Sequence, residues 1–104
     1  MAPYFIYIVE CVNGAFYTGY TTDIKRRYQE HCNRLDKCKY TRSFPPKRLA
    51  MCWKISGDIS LILKIERAIK RLNNREKKLL IECPELLAQM PAVLREEIPI
   101  TIHS

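Results

Sequence analysis

YFIYIVECVNGAFYTGYTTDIKRRYQEH, residues 4–31, is the stretch that decides the fold. Its first part, 4–12, is rich in aromatic and β-branched residues, the composition of a strand. Asn13-Gly14 is a hairpin turn signal, and 15–20 reads as a second strand. That strand stops at Thr21-Thr22-Asp23, each able to cap a following helix. The helix, 23–32, carries Lys25, Arg26 and Arg27 in its first turns. The result is a hairpin that presents Tyr7 and Tyr17 beside a basic helix.

Whether those tyrosines share a face depends on the turn. A two-residue loop at Asn13-Gly14 sets Glu10 opposite Tyr17 and puts Tyr7 and Tyr17 on opposite faces. A three-residue loop with Gly14 left-handed pairs Cys11 with Ala15, Val9 with Tyr17 and Tyr7 with Gly19. Both tyrosines then point one way. Asn-Gly suits either turn, and a shared site requires the bulged one, which is the form expected here.

Within the first helix, Ile24, Tyr28 and His31 fall on one stripe, with Arg27 at its edge and Arg26 and Glu30 directed away. Residues 33–46 lack apolar periodicity and read as a loop. With Lys47 just beyond, this region holds Arg34, Lys37, Lys39, Arg42 and the aromatic Tyr40, an interleaving that suits a nucleic-acid surface. The same residues also suit a solvated loop with Tyr40 folded onto the core. A third strand is expected over 48–56 and an amphipathic helix over 59–73, with Glu66 at the margin of its buried face. Asn73 followed by Glu76 starts a further helix over 74–82. From Cys83 the composition turns acidic and apolar with three prolines, and only short helical turns and an extended piece at 100–102 are expected.

These residues resemble the GIY-YIG nuclease domain family, and its small stand-alone bacterial members in particular. Phe5-Ile6-Tyr7, Tyr17-Thr18-Gly19, Arg27 ten residues after Tyr17, His31, the run 39–42 and the helix 63–72 carry the resemblance, over roughly residues 3–82. Phe5 stands where the family name has its first glycine, and Thr18 where it has isoleucine. The resemblance implies an α+β fold with a three-stranded antiparallel sheet flanked by helices. It also implies roles: Glu66 as the metal-binding carboxylate for one Mg2+ or Mn2+, Arg27 on the scissile phosphate, and Tyr7, Tyr17 or His31 handling the proton of the attacking water.

Each of these residues has a plainer reading when taken singly. A strand tyrosine is usually packed, Arg27 is a surface helix arginine, His31 suits a helix C-terminus, and Glu66 pairs with Lys70 four residues on. Their joint spacing favours a site. The chemistry agrees, because phosphodiester hydrolysis needs an activated water and positive charge at the phosphate.

Composition sets the outer bounds. A chain of 104 residues is one modest domain by length. Five cysteines without a CxxC pair argue against a disulfide framework. No apolar run approaches the ~18 residues of a membrane helix, and a cytoplasmic location is expected. The net charge of +7 is uneven: residues 1–54 hold ten Lys/Arg against four acids, 55–82 seven against four, and 83–104 one against three. A basic body favours a polyanionic partner.

The expectation is therefore a nuclease-like domain over 1–82 and an extension over 83–104 that packs on the body or on a protein partner. The expected activity is metal-dependent hydrolysis of DNA, with low sequence specificity and preference for branched or nicked forms in repair or recombination. Tyr7, Tyr17, Arg27, His31 and Glu66 form the catalytic set, and Lys25, Lys37, Lys39, Tyr40, Arg42 and Lys47 bind the substrate. The alternative is a nucleic-acid-binding accessory module that retains the fold with little activity.

Overall fold

The structure is a computed structural model that describes residues 3–33, 44–94 and 99–103. Strands β1 (Tyr4–Cys11) and β2 (Phe16–Thr21) form the hairpin. Its register sets Tyr7 opposite Gly19 and Val9 opposite Tyr17. Gly14 has φ +85, and the Cys11 N–H donates to the Ala15 carbonyl at 2.9 Å. This is the bulged three-residue turn, which keeps the tyrosines on one face.

Asp23 supplies the cap of helix α1 (Ile24–Cys32), its carboxylate accepting from the Arg26 N–H at 3.1 Å. Strand β3 (Pro46–Ile55) follows, opening on a proline that has no N–H to lose from the ladder. Helix α2 (Ile59–Lys70) ends before Asn73, because Asn73 caps the next helix. That helix, α3 (Asn74–Glu82), has a full capping box: Asn73 accepts from the Glu76 N–H, and Glu76 accepts from the Asn73 N–H.

The sheet has four strands in the order β2-β1-β3-β4, rather than the three expected. Strand β4 (Ile100–Ile102) pairs with residues 53–55 of β3. Three residues are too few to show a periodicity, so only the long-range pairing defines this strand.

Ile6, Tyr7, Ile8 and Val9 of β1 are all buried, because helices cover both faces of the sheet. On one face Ile6, Ile8, Trp53 and Ile55 pack against Ile62, Ile65 and Ile69 of α2 and Leu80 of α3. On the other face Tyr7, Val9 and Cys52 pack against Ile24 and Tyr28 of α1. Burial pushes the Cys52 thiol up to about 12, so it is a packed, unreactive group.

The segment after α3 joins the first of these cores. A 3₁₀ helix (Pro84–Gln89) and a short helix α4 (Pro91–Leu94) contribute Leu87 and Val93, and the Trp53 indole N–H donates to the Pro84 carbonyl at 3.0 Å. Among the described residues no helix is long and apolar enough to cross a membrane.

Candidate active site

Strand β2 is the edge of the sheet, with α1 on one face and α2 on the other. Where both helices reach past that edge, a cleft of about 490 Å³ opens. The hairpin lines it with Tyr7, Tyr17, Gly19, Tyr20 and Thr21, α1 with Arg26, Arg27 and Glu30, and α2 with Glu66 and Lys70.

Tyr7 is 1% exposed, and its ring runs under β2 toward the edge. Gly19 makes that possible, since a β-carbon there would stand 2.5 Å from the Tyr7 hydroxyl. The Gly19 backbone is not left-handed, and what it supplies is room.

The Tyr7 hydroxyl lies 2.9 Å from His31 Nε2 and accepts a hydrogen bond from Arg27 Nε at 3.3 Å. Arg27 in turn donates through a terminal nitrogen to Glu30 at 3.2 Å. The rings of Tyr17 and His31 meet edge to face at 5.3 Å, and those of Tyr7 and Tyr17 lie 6.5 Å apart. His31 is 1% exposed, and its pKa is lowered to about 4. Burial is the main cause, the Arg27 charge adds to it, and Glu30 opposes. The imidazole is therefore neutral at physiological pH, and as the Nδ1–H tautomer its Nε2 can accept a hydrogen bond from the Tyr7 hydroxyl.

Glu66 is 7% exposed, and its carboxylate lies 3.4 Å from Lys70 Nζ. Among the described residues no three His, Cys, Asp or Glu side chains cluster as a cage for a metal ion. The cleft holds two carboxylates, and with Glu30 held by Arg27 it is Glu66 that suits a hard cation keeping most of its own waters, as Mg2+ does. It does not suit a fully protein-ligated ion such as structural zinc.

The structure thus gathers Tyr7, Tyr17, Arg27 and Glu66 on one cleft, with His31 buried behind Tyr7. Glu30 was expected to point away and instead pairs with Arg27 at the cleft wall; a spacing of three residues on a helix was the available signal. Arg26 is exposed as expected but also borders the cleft, as do Lys70, Tyr20 and Thr21. Lys25 and Lys47, expected to bind substrate, do not line it. Lys25 sits on the outer side of α1 beside an apolar hollow with Ile24, Tyr28 and Leu49, and Lys47 is exposed at the start of β3. Lys37, Lys39, Tyr40 and Arg42 lie outside the described residues.

The model of the GIY-YIG catalytic domain family matches residues 3–79. Among curated proteins, the UPF0213 protein BH0048 of Halalkalibacterium halodurans is 37% identical over 78 residues, covering 75% of this chain and 81% of that one. The UPF0213 protein DP2720 of Desulfotalea psychrophila is 40% identical over 82 residues, covering 79% and 74%. A solution NMR structure of the UPF0213 protein BH0048 from Bacillus halodurans superposes with a TM-score of 0.50 at 36% identity, covering 78% of this chain and 84% of that one.

Proposed function

The chain belongs to the GIY-YIG catalytic domain family, and from that membership we propose that it is a metal-dependent endonuclease hydrolysing DNA phosphodiester bonds. The observation that carries this reading is the Tyr7 hydroxyl, held between His31 Nε2 at 2.9 Å and Arg27 Nε at 3.3 Å in the cleft that also holds Glu66.

The attacking water can meet Tyr7 and Tyr17 but not His31, which is buried behind them and does not line the cleft. A phenol oxygen is therefore the group that receives the water's proton. An unperturbed phenol, with a pKa of about 10, is a poor base. Tyr7 is assisted on both sides: the Arg27 Nε–H favours its phenolate, the form that takes the water's proton and becomes the neutral phenol, and neutral His31 Nε2 then accepts the hydrogen bond of that phenol O–H. His31 is a positioning residue here, since an imidazole held near 4 stores a proton weakly. Arg27 supplies charge and directed N–H groups for the phosphate, and Glu30 fixes its guanidinium.

Glu66 would hold the divalent ion, Mg2+ or Mn2+, which supplies Lewis-acid stabilisation of the phosphate oxygens when bound. Sequence preference should be low, because positive charge set to meet phosphates fixes position on the backbone and carries no sequence information. Branched or nicked DNA of the kind met in repair or recombination is the substrate class that fits a nuclease of this kind. Incubating supercoiled and branched DNA with Mg2+ or Mn2+ and comparing wild type with Glu66→Ala tests the proposal. Cleavage by wild type and none by the variant is expected. Equal cleavage by both would remove Glu66 from the mechanism.

A further inference from the structure

We propose that the groove between the hairpin tip and α3 is a second phosphate-binding site, which holds the DNA backbone a short way along from the scissile bond. The proposal rests on the nuclease reading for the identity of its ligand. Its geometry is independent of that reading.

The groove encloses about 470 Å³ and lies along the same β2 edge as the active cleft, with Phe16 in its wall. From Phe16 to Gly19 is three strand residues, about 10 Å. That separation lies within a short stretch of one DNA strand's backbone, whose charges recur every few ångströms along the axis.

Arg48, Arg75 and Lys78 bring positive charge to the groove, and Glu10 and Glu82 oppose it. Glu10 is already bound to Arg48, whose Nε lies 2.6 Å from its carboxylate. Lys78 and Glu82 are four residues apart on α3, the spacing of a helical ion pair, yet neither Lys78 nor Arg75 is ion-paired among the described residues. Their charges reach the groove with no carboxylate in ion-pair range among the described residues.

Between groove and cleft the basic track continues. Lys77 Nζ donates to the Phe16 carbonyl at 2.9 Å, which fixes an ammonium on β2 itself. Its pKa is lowered, first by burial and then by the neighbouring charge of Lys70, which stands at the cleft. An electropositive edge running from Arg27 and Lys70 through Lys77 to Arg75 and Lys78 matches an extended polyanion better than a single small anion.

The test is fluorescence anisotropy of a labelled duplex in chelator, titrated across salt, for wild type, Arg75→Ala/Lys78→Ala and a control, Lys54→Ala/Lys64→Ala. Arg75 and Lys78 are exposed and lie outside the capping box, so circular dichroism should match wild type. The groove variant should lose about 1.8 from its log–log salt slope, about 0.9 for each phosphate contact, and the control should keep the wild-type slope. A wild-type slope in the groove variant, or an equal loss in the control, overturns the site. If wild type cleaves no DNA with Mg2+ or Mn2+, the nuclease reading fails while the slopes still decide the groove. If cleavage is normal and the slopes do not differ, only the groove fails.

Discussion

The hydroxyl of Tyr7 occupies the space a side chain at position 19 would need: a β-carbon on Gly19 would stand 2.5 Å from Oη and 2.7 Å from Cζ. The site's central phenol is therefore set by a neighbouring strand's lack of a side chain. Gly19→Ala must push the Tyr7 ring away from His31 and Arg27. Overpacking of this kind costs about 1–3 kcal/mol, and a displacement of about 1 Å at a reacting group can cost on the order of 100-fold in rate. Gly14→Ala is the matched control, since nothing lies within 4 Å of its β-carbon but its φ is +85. Left-handed strain should cost about 1–2 kcal/mol there with cleavage rate retained at a temperature where the variant is folded. Melting curves and single-turnover rates of the two variants check the contrast.

Burial of His31 predicts acid sensitivity of the fold itself. In the unfolded chain this imidazole titrates near 6.5, and in the folded state at about 4. Between those values the unfolded state binds more protons, so stability rises with pH across the window. It is complete above about 6.5 and falls as the pH drops toward 4, by up to about 3 kcal/mol. His31→Gln, with no group to titrate, should flatten this part of the curve. Denaturant melts at intervals between pH 4 and 7 give the answer, and parallel curves for both proteins would contradict it.

How much of this was legible in the sequence follows from how local each determinant is. The bulged hairpin could be read because Asn13, Gly14 and the requirement that Tyr7 and Tyr17 share a face are all within one turn and two strands. The α3 capping box was equally legible, since Asn73 and Glu76 satisfy each other. The purpose of Gly19 was hidden because it depends on a ring reaching across from β1. Glu30 was misplaced because a helical wheel shows angles and not the reach of Arg27 toward it. Strand β4 was read only as an extended piece, for its three residues gain meaning only against β3. Lys25 and Lys47 were assigned to substrate by charge alone, and charge does not specify a direction.

A single-carboxylate metal site predicts that metal removal separates chemistry from folding. Glu66 lies at the margin of a well-packed helix face, with Ile62, Ile65 and Ile69 carrying the packing. Chelation should abolish cleavage and leave the melting temperature within about 1 °C, because no folding energy is stored in a caged ion. Duplex affinity in chelator should match that in Mg2+ after correction for ionic strength. A large drop in melting temperature on adding chelator would point to a structural metal instead.

The last prediction concerns where the folding unit ends. The family model stops at residue 79, and the composition shifts at Cys83, so sequence divides the chain near 82. The packing argues that the part beyond is required. Leu87 is fully buried in the core shared by Ile6, Trp53 and Ile65, and Val93 joins it. Trp53, also fully buried, has its indole N–H satisfied by the Pro84 carbonyl, and β4 covers the outer edge of β3. A chain cut after residue 82 would expose the Trp53 indole, open the β3 edge and leave part of the α2 face uncovered. Each large buried aliphatic lost typically costs about 2–5 kcal/mol, against a whole-domain stability of about 5–15 kcal/mol. Leu87→Ala alone should therefore destabilise by about 2–5 kcal/mol, and residues 1–82 should not fold cooperatively. Urea melts followed by Trp53 fluorescence test both. A truncated chain with a wild-type midpoint and a blue-shifted Trp53 would show that 83–104 is an appendage after all.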